Sequence, residues 1–229
     1  MLTYENCTLC PRRCGVDRTA GKRGFCGMDA QLTAARAAAH YWEEPVISGS
    51  FGSGAVFFSG CTLRCAFCQN SVISHENYGK ALTSVQLREV FERLIDDGVQ
   101  NINLVTPTHF LPDILPALTP KLPVPVVYNC GGYESVQTLR QLEGLVDIYL
   151  PDMKYSNNAL AKKLSAAPDY FEIASAAIAE MYRQTGDVVI EDAQMTRGVL
   201  VRHLVLPGEI DNSLGVLDWF AAHFRPGQA

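Results

Sequence analysis

The run Ser59-Gly60-Cys61-Thr62-Leu63-Arg64-Cys65-Ala66-Phe67-Cys68-Gln69-Asn70 places three thiols at spacings of three residues and then two, with no fourth cysteine close behind. That triplet suits an iron–sulfur cluster with one iron left without a protein ligand. Electron-transfer clusters take four thiolates, whereas an open coordination position marks a catalytic metal site. An open iron can bind a substrate or cofactor. Zinc usually asks for two tight cysteine pairs, or a cysteine pair and a histidine pair. No second pair follows here. The triplet also comes directly after an apolar stretch, Ala55-Val56-Phe57-Phe58, so it sits where a strand ends.

A second set of thiols, Cys7, Cys10, Cys14 and Cys26, is spaced C-x2-C-x3-C-x11-C and interleaved with Arg12, Arg13, Arg18, Lys22 and Arg23. The segment has little apolar periodicity and cannot build a core of its own. A bound metal would supply the missing folding free energy, as in small zinc modules. Structural zinc, a second iron–sulfur cluster and a loop of reduced thiols all remain open. The basic residues read as a solvated face. Cys130, the eighth cysteine, reads as a buried free thiol.

These groups must be held by the rest of the chain. Its 229 residues can bury one full core. No apolar run is long enough to span a bilayer, and the start Met-Leu-Thr-Tyr-Glu-Asn-Cys lacks a signal-peptide pattern. A cytoplasmic protein without membrane association is expected, which favours metal ligands over disulfides. A net charge of −5 argues against nucleic acid as a partner.

From Ala55 onward, short apolar runs alternate with amphipathic ones. Strands are expected at Ala55–Ser59, Asn101–Thr106, Val124–Asn129, Asp147–Pro151 and Leu200–Leu206. A hairpin is expected around Val188–Ile190 and Val199–Val201. Thr83 and Gln86 form a capping box ahead of a stripe of Leu87, Val90, Phe91, Leu94 and Ile95, closed by Gly98. Further helices are expected over Glu134–Glu143, Phe110–Leu118, from Pro168 to Gly186, and over Leu214–Phe224. Alternating strands and helices imply a parallel sheet curling toward a partial barrel. In such folds reactive groups gather at the carboxyl ends of the strands. The cysteine triplet, Thr106–His109, Asn129–Gly132, and Asp152 with Lys154 all fall there, while His203 lies within the fifth expected strand.

The triplet with an aromatic before its last cysteine, here Phe67, resembles the signature of the radical S-adenosylmethionine (SAM) superfamily. Glu43-Glu44-Pro45-Val46-Ile47-Ser48-Gly49, Asn101–His109, Val146–Tyr155 and Arg202–Gly208 extend the likeness over nearly the whole chain. Together they resemble an uncharacterised branch related to pyruvate formate-lyase activating enzyme. The resemblance implies an α/β fold, a partial (β/α) barrel of parallel strands with a Cys-rich N-terminal extension. The division is expected at residues 1–50 and 51–229. The family's sheet has six strands. Five are visible here, so the core looks shortened at its C-terminus.

By the same resemblance, Cys61, Cys65 and Cys68 hold a [4Fe-4S] cluster whose open iron binds SAM. Reductive cleavage then yields a 5′-deoxyadenosyl radical that abstracts hydrogen. The cofactor supplies the hard chemistry and the protein orients it. Thr106, Thr108 and His109 stand where the family places a Gly-Gly-Glu segment that meets the SAM amino group. Asn129 and Gly131 stand near the family's Thr-Asn-Gly. Asp152 and Lys154 match its Asp-Leu-Lys, two residues apart and so on one face of an extended segment. His203 aligns with a ribose-binding histidine, and Phe67 and Asn70 border the cofactor. The implied partners are a protein or peptide substrate, of the kind glycyl-radical activases use, and a flavodoxin- or ferredoxin-type reductant. A small-molecule substrate and a non-catalytic iron–sulfur electron carrier are the alternatives.

Overall fold

Eight strands form one continuous, open sheet in the computed structural model, which describes residues 2–229. The strands are β1 (Thr33–His40), β2 (Ser53–Phe58), β3 (Lys80–Ala81), β4 (Ile102–Val105), β5 (Val126–Cys130), β6 (Ile148–Pro151), β7 (Val189–Glu191) and β8 (Gln194–Val199). Their order is β3-β1-β2-β4-β5-β6-β8-β7. The five central strands, β2, β4, β5, β6 and β8, run parallel. Antiparallel strands flank them on both sides. The helices are α1 (Pro45–Ser48), α2 (Ser71–Ser74), α3 (Ser84–Asp96), α4 (Leu111–Ala117), α5 (Val136–Leu139), α6 (Asn158–Ser165), α7 (Tyr170–Thr185) and α8 (Ile210–His223). This is the partial barrel that the strand–helix alternation implies.

Alternation along the strands divides the sheet into two faces. Val56, Leu104, Tyr128, Tyr149 and Val199 lie in one cross-strand register row and belong to the main core. The offset rows carry Ala55, Asn103, Val127 and Ile148, then Phe57, Val105, Asn129 and Leu150. Of these, Val127, Ile148 and Leu150 pack with Ile47 and Met195 in a second, smaller core. α1 therefore plugs the inner face, fixed by Asn101, whose Nδ2 donates to the Ile47 carbonyl at 2.7 Å. Two polar residues on the inner rows, Asn103 and Asn129, are the first sign that this face is built for more than packing.

The helix signals act as their chemistry requires. Thr83 accepts from Gln86 N and the Gln86 side chain accepts from Thr83 N, completing the capping box of α3. Gly98 follows with φ +89. The expected helix over Glu134–Glu143 is one short helical turn running into a 3-10 turn at Arg140–Leu142. Two corrections concern strands. Leu200–Leu206 is not a regular strand: the strand is Gln194–Val199, and beyond it pairing with β6 continues through Leu200 N–H to Tyr149 O and Arg202 N–H to Pro151 O and ends at the Asp152–Arg202 bridge. The hairpin accordingly joins Val189–Glu191 to Gln194–Val199. Thr33–His40 joins the sheet beside β2 although the sequence reading left it in the extension. Its alanine-rich run has no polar alternation to reveal it.

Candidate functional site

The loop after β2 carries the three thiols. Gly60, at φ +80, turns the chain there, and a side chain at that position would meet Met28 and the Cys26 carbonyl. Cys65 is buried, and Cys61 and Cys68 are half-buried. Each sulfur has a polar neighbour. Leu63 N–H donates to Cys61 Sγ at 3.4 Å, Ser165 Oγ donates to Cys65 Sγ at 3.0 Å, and Ser74 Oγ lies 3.2 Å from Cys68 Sγ. Burial pushes the Cys61 thiol up to about 12, and the nearby Lys154 charge works against that rise. Among the described residues, no three His, Cys, Asp or Glu side chains close round a single ion. A cluster spreads its thiolates over several irons, and this donor set of three soft ligands with a cation beside them fits that group.

Lys154 and Asp152 leave the end of β6 as an ion pair. Burial disfavours the Lys154 charge, but Asp152 and Cys65 outweigh it, so the ammonium is held more firmly than usual. An ammonium has three donors, and one goes to Asp152 Oδ2. The others are available to a ligand carboxylate. Gly131 and Gly132 cross beneath: a Cβ on Gly132 would collide with the Asp152 carbonyl, and φ is +78 there. Thr106 ends β4 at φ +59, a conformation uncommon for a non-glycine residue, and its N–H donates to Asn129 O at 2.8 Å.

Glu43 and Arg202 complete the site, and neither was singled out from sequence. Arg202 Nε donates to Asp152 Oδ1 at 3.1 Å, Nη1 to Glu43 Oε1 at 2.8 Å and Nη2 to Asn129 Oδ1 at 2.7 Å. Glu43 Oε2 accepts from Asn103 at 2.9 Å and from Asn129 at 3.1 Å. Burial raises the Glu43 carboxyl, with Arg202 opposing. Two buried acceptors there have no partner among the described residues, Glu44 Oε2 and Asn103 Oδ1. The available signal was the Glu43-Glu44 pair in an otherwise apolar neighbourhood, but its partner lies 159 residues away.

Other expected contacts are engaged elsewhere. Thr108 is buried and donates to Glu134 Oε1 at 2.8 Å, while Tyr128 donates to Glu134 Oε2 at 3.1 Å. Burial lifts that carboxyl to about 7. His109 is also buried, with Nε2 2.6 Å from the Ser59 carbonyl. Desolvation lowers it to about 3, so it is neutral and donates that bond. His203 spans Met153 O at 2.6 Å and Ser213 Oγ at 2.8 Å, tying the β6 end to α8. Phe67 packs against the main core, and Asn70 is an exposed residue at the start of α2. The structure thus brings together Cys61, Cys65, Asp152 and Lys154, with Asn129 on the Arg202 side.

Cys7, Cys10, Cys14 and Cys26 lie in a looped module against the outer core. A Cβ on Gly24 would stand 3.5 Å from Cys14 Sγ and 3.7 Å from Cys26 Sγ. Burial pushes Cys10 up to about 12. Among the described residues no helix is long and apolar enough to cross a membrane.

A family model described as the Radical SAM superfamily matches residues 55–220. An uncharacterized protein of Methanocaldococcus jannaschii is 31% identical over 218 residues, covering 91% of this chain. The chain spans 59% of that relative's length. Among solved structures, SuiB of Streptococcus suis bound to its precursor peptide SuiA is similar at a TM-score of 0.49. It shares 14% identity over 70% of this chain and 34% of that one. SuiB alone gives a TM-score of 0.48 and 13% identity, over 71% of this chain and 35% of that one. The family match spans the strand ends, the cysteine loop and the Asp152–Lys154 pair alike, and on it the chain belongs to the radical SAM superfamily.

Proposed function

We propose that this protein is an iron–sulfur enzyme that cleaves SAM reductively and abstracts hydrogen from a protein or peptide, in the manner of glycyl-radical activases. The observation that carries the reading is the half-buried Lys154–Asp152 pair beside Cys61 and Cys65 at the ends of parallel strands. A reduced cluster, when bound, supplies the electron that splits SAM and leaves a radical able to take hydrogen. The chain's part is to hold and orient. Cys61, Cys65 and Cys68 are the ligands. Lys154 offers two unused N–H groups to the methionine carboxylate, and Asp152 retains acceptor capacity for the ammonium.

Arg202 and Glu43 hold Asp152 and Asn129 in register from opposite sides. Thr106 and Gly131 bring backbone close to the same mouth. Tyr41 and Trp42 stand exposed beside Glu43, which suits a peptide approaching across the rim. The reading includes a second metal, zinc or another iron–sulfur cluster, at Cys7, Cys10, Cys14 and Cys26. It also includes a flavodoxin- or ferredoxin-type reductant and a cytoplasmic setting.

The test is 5′-deoxyadenosine release by anaerobically reconstituted, dithionite-reduced protein, with and without candidate peptides. Release that rises with peptide supports the reading. An intact cluster that neither binds nor cleaves SAM under any of these conditions points to an electron carrier instead.

A further inference from the structure

Three carboxylates share two cations on the inner face of the sheet. Asp152 pairs with Lys154, while the guanidinium of Arg202 reaches Asp152, Glu43 and, at 3.7 Å, Glu44 Oε1. Each of these side chains is less than a third exposed. One negative charge is therefore left over in a half-buried setting, where solvent and salt screen it less than at the surface.

Glu43 is fully engaged. Its Oε1 accepts from Arg202, and its Oε2 accepts from the amides of Asn103 and Asn129. Every partner is a donor, which suits the ionised carboxylate. These contacts also orient the Asn103 amide, since its nitrogen must face Glu43 and its oxygen points elsewhere. Asn103 is fully buried, and that Oδ1 has no partner among the described residues. Glu44 Oε2 is likewise buried and unpartnered. Glu44 stands at the start of α1, where its carbonyl accepts from Ile47 and Ser48, but its side chain caps nothing there.

Both orphan atoms are acceptors, and a buried acceptor left unsatisfied is costly. A carbonyl or an anion cannot satisfy them. A group with several N–H donors and a positive charge answers both the orphan acceptors and the surplus charge, as an ammonium or a guanidinium does. The rim favours the same chemistry. Trp42, next to Glu43, is 89% exposed, and indole is the ring whose face attracts cations best. Asn103 also lies deeper than the strand ends: it precedes Val105, the residue in register with Asn129.

We infer that Glu44 and Asn103, braced by Glu43 and Arg202, form a subsite for a lysine or arginine side chain of the peptide substrate. The inference rests on the peptide-substrate reading above and specifies the charge that such a peptide must carry.

The test uses the anaerobically reconstituted full chain and a degenerate library of short peptides, acetylated and amidated so that their termini are uncharged. Peptides retained in the presence of SAM are sequenced as a pool. Lysine or arginine should be enriched about tenfold at one position, the size of one hydrogen bond to a charged group. Glu44→Gln should remove most of that enrichment, whereas Glu89→Gln, at an exposed position on α3, should keep it. A pool without basic enrichment means that water alone fills the acceptors, and it overturns the subsite. Enrichment that survives Glu44→Gln reports only the net negative charge of the chain and overturns it too. Enrichment found without SAM but lost with it assigns the acceptors to the cofactor, with the same consequence. In the wild-type chain n-butylammonium should displace the basic peptides and n-butanol should not. Displacement by both or by neither overturns the subsite without recourse to a variant. Release of 5′-deoxyadenosine is read on the same samples. Release without basic enrichment leaves the proposed reaction standing and removes the subsite. Basic enrichment without release removes the reaction and leaves the subsite.

Discussion

The two cysteine sets solve opposite problems. Cys7, Cys10, Cys14 and Cys26 supply as many thiols as a closed site needs, and the carbonyl-lined guanidinium of Arg18 lies beside them. Cys61, Cys65 and Cys68 supply one fewer and face Lys154, Asp152 and the strand ends. On the proposed reading, the first set would be closed to a ligand. On the same reading, the second set would leave a coordination position open beside Lys154 and Asp152. A thiol count alone does not make a site reactive. What surrounds the missing ligand does.

The largest expected contrast comes from removing one thiol on each side. Cys65→Ala should abolish the reducible cluster and all SAM cleavage, read by iron and sulfide content and by product chromatography. Cys10→Ala should keep the radical cluster's iron. Equal loss in both variants would erase the distinction drawn between the two sets.

The strand-end frame under the open site gives the next effects. Gly132→Val should lower stability by about 3 kcal/mol, since a side chain there meets the Asp152 carbonyl at a left-handed φ. A wild-type denaturant midpoint would show that the turn is not needed.

Glu134 gives an effect of similar size with a definite pH signature. Its folded carboxyl titrates near 7 against an ordinary 4.5, so the folded state holds the proton more tightly. That contribution is fully present below pH 4.5 and is lost as pH rises through about 7, by roughly 3 kcal/mol. Glu134→Gln should flatten the stability profile across this window in urea titrations at several pH values. A slope that survives the substitution assigns the titration to another group.

Lys154→Met should have the smallest effect of the series, weakening SAM binding about tenfold, or ~1.4 kcal/mol, with iron content unchanged. Unaltered SAM affinity would make the Lys154–Asp152 pair purely structural.

Much of this was legible from local pattern. The thiol spacing, the capping box at Thr83 and Gln86, the apolar runs that became β2, β4, β5 and β6, and the two-residue step from Asp152 to Lys154 are all short-range signals. They report what a segment's own chemistry favours. β1 escaped because alanines carry no alternation, and the last strand shifted because the Leu- and Val-rich run after Val199 mimics one while the pairing ends at Arg202. Thr108 and His109 look like cofactor contacts in sequence, yet the turn after β4 directs them into the buried network of Glu134 and the Ser59 carbonyl.

Sequence by itself determined the two thiol sets, their counts and the alternating α/β order, since these depend on residue identity and near-neighbour spacing. Tertiary structure alone decided that Glu43 meets Arg202, that Arg18 is buried with no carboxylate partner among the described residues, and that the N-terminal module touches the Cys61–Cys68 loop. Those pairings join residues tens to more than a hundred positions apart. Their partners are chosen by the packing of the sheet and the desolvation it imposes, which no local spacing encodes.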